Sequence, residues 1–90
     1  AIETIAYFCA AELLANAAKH SLANRVGVQA TGRGGMLLLT VTDDGAGGAN
    51  PHGSGLAGLA QRVSTVDGRL DVASPLGGPT RVTVELPLRA

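Results

Sequence analysis

At the start of the chain, apolar positions recur every four residues, at Ile5, Cys9, Leu13 and Ala17, and no Gly or Pro interrupts residues 3–21. That spacing predicts one long helix with a slowly drifting apolar stripe. The pattern then changes to alternation. Val26, Val28 and Ala30 fall on one face of a strand predicted over Arg25–Thr31, and Gly32-Arg33-Gly34-Gly35 reads as the hairpin turn after it. Met36–Thr42 is apolar on both faces and predicts a second strand, placed centrally in a sheet. Helical spacing returns over Leu56–Val66 through Leu56, Leu59, Ala60 and Val63. Alternation closes the chain in two strands, Arg69–Ala73 and Thr80–Leu86, joined by a turn at Ser74–Pro79.

Between the second strand and the second helix the texture breaks. Asp43–Gly55 holds five Gly, one Pro, one Asn and two Asp, which predicts a loop. Every other connection is short, and a long loop in a small domain is usually functional. The order helix, two strands, glycine loop, helix, two strands fits helices packed on one face of a largely antiparallel sheet, an α+β domain.

Length and composition narrow this further. A chain of 90 residues has room for one domain, 1–90, and no second core. Tyr7 and Phe8 are its only aromatics, so the core must be aliphatic. Seven basic and seven acidic residues cancel, so no global field draws nucleic acid or an anionic membrane, and any bound anion needs a local site. Cys9 is the single cysteine, which excludes an internal disulfide and suggests a reducing, cytoplasmic setting with Cys9 as a buried core thiol. No apolar run reaches the roughly 18 residues of a membrane span. The chain begins Ala-Ile-Glu with its one Met at position 36, which reads as a piece of a longer protein, removal of an initiator Met being the alternative.

Candidate chemistry gathers in three places. On the first helix, Glu12, Asn16, Lys19 and His20 share one arc of roughly 100°. A carboxylate, an amide oxygen, an ammonium and an imidazole in that arc would suit a polyphosphate with its Mg²⁺: amide oxygen for the hard cation, Lys for phosphate charge. A solvated helix face is the plain alternative, and His20 in a last turn also complements the helix dipole. At the mouth of the loop, Asp43 stands where the central strand ends, able to accept a hydrogen bond from the exocyclic amine of adenine and to repel the carbonyl of guanine. Gly45 and Gly47 let the backbone approach a ring closely, although an ordinary Asp-Gly turn accounts for the same residues. Farther on, Gly53 and Gly55 precede a helix start, where the free amides, Leu56 included, form a phosphate site or simply a flexible cap. The spacing is neither that of a Walker loop nor that of a dinucleotide fingerprint. Thr80 opens the last strand, either as a hydroxyl bridging to adenine through water or as a β-branched strand residue.

In order along the chain, "ELLANAAKH" resembles the N box of the GHKL superfamily of gyrase, heat-shock chaperone, MutL and histidine-kinase ATPase domains. "DDGAG" resembles its first glycine box, "GSGLAGLAQRV" its second, and "GGPTRVTVELPL" its closing strand with Thr. The Lys-His ending of the N box, the short lid and the Gly-Leu-x-Gly-Leu-x-x-Arg pattern are most similar to sensor histidine kinases that pair with NarL-type response regulators. The resemblance implies a Bergerat fold, a two-layer α/β sandwich with a mixed, largely antiparallel sheet and helices on one face. It implies ATP and Mg²⁺ as cofactors, with Asn16 holding the metal, Lys19 and His20 at the phosphates, and Glu12 as the catalytic carboxylate. Asp43 would read the adenine amine with Thr80 behind it through water, Gly45 and Gly47 would lie against the ring, and Gly53, Gly55 and the Leu56 amide would line the phosphates.

Two departures stand out: Asp44 occupies a position commonly Asn, and the lid between Gly47 and Gly53 is short and lacks an aromatic. His20 belongs to the N box and His52 to the lid, so neither is a phosphoacceptor. The expected activity is therefore half of a kinase, transferring phosphate from Mg-ATP to a His on a separate dimerisation domain and reaching a response regulator only indirectly. The domain is expected to be monomeric alone, with no nucleic-acid or direct membrane contact, and cytoplasmic or the cytosolic part of a membrane-anchored sensor. An anti-sigma-factor-type serine kinase and a nucleotide-binding interaction module without transfer activity are the competing readings.

Overall fold

The computed structural model describes residues 2–20, 25–45 and 54–88, without the side chains of residues 16–20 and 54–55. Two helices, α1 (Ile2–His20) and α2 (Ser54–Ser64), pack on a sheet of β1 (Val26–Arg33), β2 (Met36–Asp43), β3 (Arg69–Ala73) and β4 (Thr80–Pro87). The strand order is β1-β2-β4-β3, and all three pairings are antiparallel. The elements match the sequence pattern to within a few residues, and the described strands form a wholly antiparallel sheet. The first hairpin is tighter than its glycine run suggests. Gly32 and Arg33 stay in the strand, and the turn is Gly34-Gly35 alone, with φ of 58° and 79°. Two successive positive φ angles are what a two-residue turn matched to strand twist demands, and Gly adopts them without steric cost.

The core is aliphatic. From α1 come Cys9 and Leu13, from α2 Leu56, Leu59 and Val63, from β2 Leu39 and Val41, and from β4 Val82, Val84 and Leu86. The β2–β4 register pairs Leu39 with Val84 and Val41 with Val82, so two central strands carry the sheet's share of the core. Tyr7 and Phe8 both remain outside it, Tyr7 77% exposed. The Arg62 guanidinium lies 4.1 Å from the Phe8 ring centroid and joins α2 to α1 on their outer surface. Val26 and Val28 alternate along β1 yet remain 39% and 47% exposed. β1 is an edge strand, and α1 meets chiefly β2 and β4 and β1 less.

The end of α2 sets where β3 begins. The Gly68 amide donates to the Val63 carbonyl at 3.0 Å and the Asp67 amide to the Ser64 carbonyl at 3.1 Å, the paired bonds of a Schellman ending. Asp67 takes the left-handed position at φ 60°, where Gly is more usual. Gly68 follows because there is no room for anything larger: a Cβ there would stand 2.7 Å from both the Glu85 carbonyl oxygen and Val63 Cγ1.

Gly68→Ala is accordingly expected to destabilise the fold by about 1–3 kcal/mol through overpacking, seen as a lower urea midpoint at unchanged slope. Burial pushes the Cys9 thiol up, with the Arg62 charge acting weakly in the opposite direction. A buried neutral thiol is a poor nucleophile. Alkylation of Cys9 at mildly alkaline pH should be slow in the native protein and accelerate through the unfolding transition, and fast native alkylation would contradict the burial.

Candidate functional site

Alternation along a strand carries the buried row of β2 from Leu39 through Val41 to Asp43, and that of β4 from Val84 through Val82 to Thr80. The register places Asp43 opposite Thr80. The two polar residues that end these rows are thus cross-strand neighbours beneath the helical layer, Asp43 6% and Thr80 8% exposed. Burying a carboxylate is costly without hydrogen bonds. Here the Gly45 amide, itself buried, donates to Asp43 Oδ1 at 2.9 Å. An ionised carboxylate has two oxygens with several lone pairs between them, so one amide donor does not exhaust its capacity to accept. Thr80 Oγ1 is 2.6 Å from Ser74 Oγ.

Asp44 points elsewhere. Its Oδ1 accepts from the Arg25 amide at 2.9 Å, and its own amide donates to the Arg25 carbonyl at 3.2 Å. The residue that departs from the family pattern therefore closes the end of the β1–β2 ladder, and its charge is partly engaged there. Gly27 and Thr42 belong to the alternate row, facing away from the helices. With Arg25, Asp43, Asp44 and Pro79 they line a shallow cavity of about 290 Å³. It opens on the wrong side of the sheet for a site built on the Asp43 and Thr80 side chains.

Helix α1 carries Glu12, half-buried on the flank of the Cys9–Leu13 stripe, with Asn16 one turn later and Lys19 and His20 in the last turn. The side chains of Asn16, Lys19 and His20 lie outside the described residues, as do Gly47 and Gly53 altogether. Gly55 and Leu56 fall in the first turn of α2, where backbone amides have no partner within the helix. The Leu56 side chain is buried in the core, so any ligand contact there is made by its amide. Among the described residues no group of three or more His, Cys, Asp or Glu gathers to hold a metal. Asn16, the residue to which the sequence assigns Mg²⁺, would offer a hard amide oxygen to such an ion.

Ser74 is the residue that the motifs pass over. It sits in a Pro- and Gly-rich turn and looks like a spacer; only the β3–β4 register, with Ala73 opposite Arg81, shows that it meets Thr80.

Comparison with known proteins covers nearly the whole chain. Residues 2–90 match the family model described as histidine kinase-, DNA gyrase B-, and HSP90-like ATPase. The signal transduction histidine-protein kinase/phosphatase UhpB of Salmonella typhimurium is 40% identical over 81 residues, covering 87% of this chain and 16% of that protein. The histidine kinase domain of the Erythrobacter litoralis EL346 blue-light activated histidine kinase superposes with a TM-score of 0.71 at 27% identity, over 86% of this chain and 40% of that one. The histidine kinase AdeS of Acinetobacter baumannii, at 17% identity, shares the fold with a TM-score of 0.73 over 88% of this chain and 43% of its own. The chain thus spans a minor part of each relative. Among the described residues no helix is long and apolar enough to cross a membrane.

Proposed function

The chain belongs to the histidine kinase-, DNA gyrase B-, and HSP90-like ATPase family, and from that premise we propose that it is the ATP-binding catalytic part of a two-component sensor histidine kinase. It binds Mg-ATP and passes the γ-phosphoryl group to a His on a separate dimerisation domain, in a kinase whose response regulator is of the NarL type. The observation that carries the reading is the buried Asp43–Thr80 pair, with Gly45 folded back onto Asp43. With Oδ1 held by that amide, Oδ2 accepts from the six-amino group of adenine. A guanine carbonyl in the same place meets a second acceptor and leaves both desolvated without partners.

The remaining roles are those that the family resemblance implies. Gly45 and Gly47 lie along the ring. Gly53, Gly55 and the Leu56 amide would line the phosphates, where helix N-terminal amides suit anions. Lys19 and His20 would meet phosphate charge from α1, and Asn16 would hold Mg²⁺, which when bound would neutralise phosphate charge. Transfer joins an imidazole nitrogen of the acceptor His to the γ-phosphorus as the bond to the bridging oxygen breaks and ADP departs. Glu12 takes or orients the imidazole proton. Such catalysis is positioning and charge stabilisation, and a carboxylate and an amide one helical turn apart provide both.

Asp43→Ala should weaken Mg-ATP binding by at least about tenfold, because losing one partner of a charged hydrogen bond costs about 1.5–3 kcal/mol. Calorimetric titration with Mg-ATP and Mg-GTP, alongside circular dichroism to confirm folding, measures this. Unchanged ATP affinity in the variant would refute the adenine role. For transfer, the chain alone with labelled Mg-ATP should acquire no acid-labile phosphate. Supplied with the helical acceptor segment of its parent kinase it should phosphorylate that segment, and Glu12→Ala or Asn16→Ala should stop it. Phosphate on Ser or Thr would instead favour a serine kinase of the anti-sigma-factor type, and ATP binding with no transfer an interaction module.

A further inference from the structure

The β3–β4 connection does more than turn the chain. Pro75–Gly78 closes on itself through the Gly78 amide donating to the Pro75 carbonyl at 2.9 Å, and Gly77 and Gly78 take φ of 92° and 75°. The chain therefore returns at once, and the register that sets Ala73 opposite Arg81 brings Ser74 beside Thr80. Their hydroxyl oxygens are 2.6 Å apart, and Thr80 is both buried and cross-strand from Asp43.

A hydroxyl has one proton to donate and two lone pairs to accept with. If Thr80 donates to Ser74, it can only accept from a ligand. If Ser74 donates to Thr80, the Thr80 proton is released for the pocket. The difference matters for a purine. Adenine presents a donor at its six-amino group beside an acceptor at ring nitrogen one. Hypoxanthine presents the reverse, a carbonyl beside a protonated ring nitrogen. Asp43 supplies a fixed acceptor, so the adenine pattern is complete only when its neighbour is a donor.

We propose that Ser74 is a positioning residue for base selection: by donating to Thr80 it directs the Thr80 proton toward ring nitrogen one, directly or through one water. This rests on Asp43 and Thr80 forming the adenine site. Without Ser74 the Thr80 hydroxyl rotates freely and serves either purine pattern.

The test is the affinity of the chain for Mg-ATP and Mg-ITP, measured by titration, in the parent, Ser74→Ala, Ser74→Thr, Thr80→Val and the double variant. Ser74→Ala should lower the ATP-over-ITP preference by about five- to tenfold, the scale of one net hydrogen bond. Ser74→Thr, which keeps the hydroxyl, should restore it. In the Thr80→Val background Ser74→Ala should change the preference no further, since its effect runs through the missing hydroxyl. A merely structural Ser74 would weaken ATP and ITP together at constant preference, and that result overturns the proposal. So does an undiminished Ser74→Ala effect in the Thr80→Val background. A parent chain that binds neither nucleotide overturns the adenine site itself, whereas a parent that prefers ATP beside a Ser74→Ala variant with the same preference overturns the Ser74 role alone.

Discussion

The pairing of β2 with β4 is the constraint on which the rest depends. Along its buried face the register sets Leu37 against Leu86, Leu39 against Val84 and Val41 against Val82, and the next pair in that row is Asp43 with Thr80. A slip of one residue would turn every one of these side chains to the other face of the sheet. The register is therefore held by aliphatic burial, at roughly 1.5–3 kcal/mol for each fully buried large side chain. The polar pair inherits its geometry from that core. A mutation at Val84, for instance, would act on the Asp43–Thr80 pair through the same register.

Where the core row ends, hydrogen bonds take over from apolar contact. Asp43 is tolerated under the helices because the Gly45 amide meets it, and Thr80 because Ser74 does. Asp44, one residue on and exposed, clamps Arg25 at the adjoining end of β1. Three side chains at one sheet end thus have three separate settings: a buried carboxylate held by a backbone amide, a strand clamp and a hydroxyl in a pair. Their division follows from the alternation of a strand, which sends Asp43 and Asp44 to opposite faces.

The helices are positioned over the sheet by a different geometry. The Cys9–Leu13 stripe seats α1 over the two central strands, and continuing the helix past Leu13 carries Asn16, Lys19 and His20 forward along the same axis. Helix α2 is seated by Leu56, Leu59 and Val63, so its first turn, with Gly55 and the Leu56 amide, is held at a set distance from the sheet. The tight ending at Asp67 and Gly68 then returns the chain to β3 without slack.

Local patterns settled the elements themselves. The four-residue spacing of Ile5, Cys9 and Leu13, the alternation at Arg69–Ala73 and the glycine density after Asp43 are each properties of neighbouring residues, and helix, strand and loop answer to neighbours. Asp43, Thr80 and Glu12 were legible as candidates because motif order carried them. The tertiary structure alone decided which faces are covered and which hydroxyls meet. Val26 and Val28 alternate like core residues yet stay exposed, because edge position is a fact of strand order and not of pattern. Ser74 looked like turn filler, and its contact with Thr80 exists only once β3 and β4 pair. Nothing in the sequence singles out Gly68, and only the packed neighbours Val63, Glu85 and Leu86 show that a Cβ has no room there. Sequence periodicity records what each residue prefers locally, whereas contacts between residues distant along the chain are set by how the elements pack together.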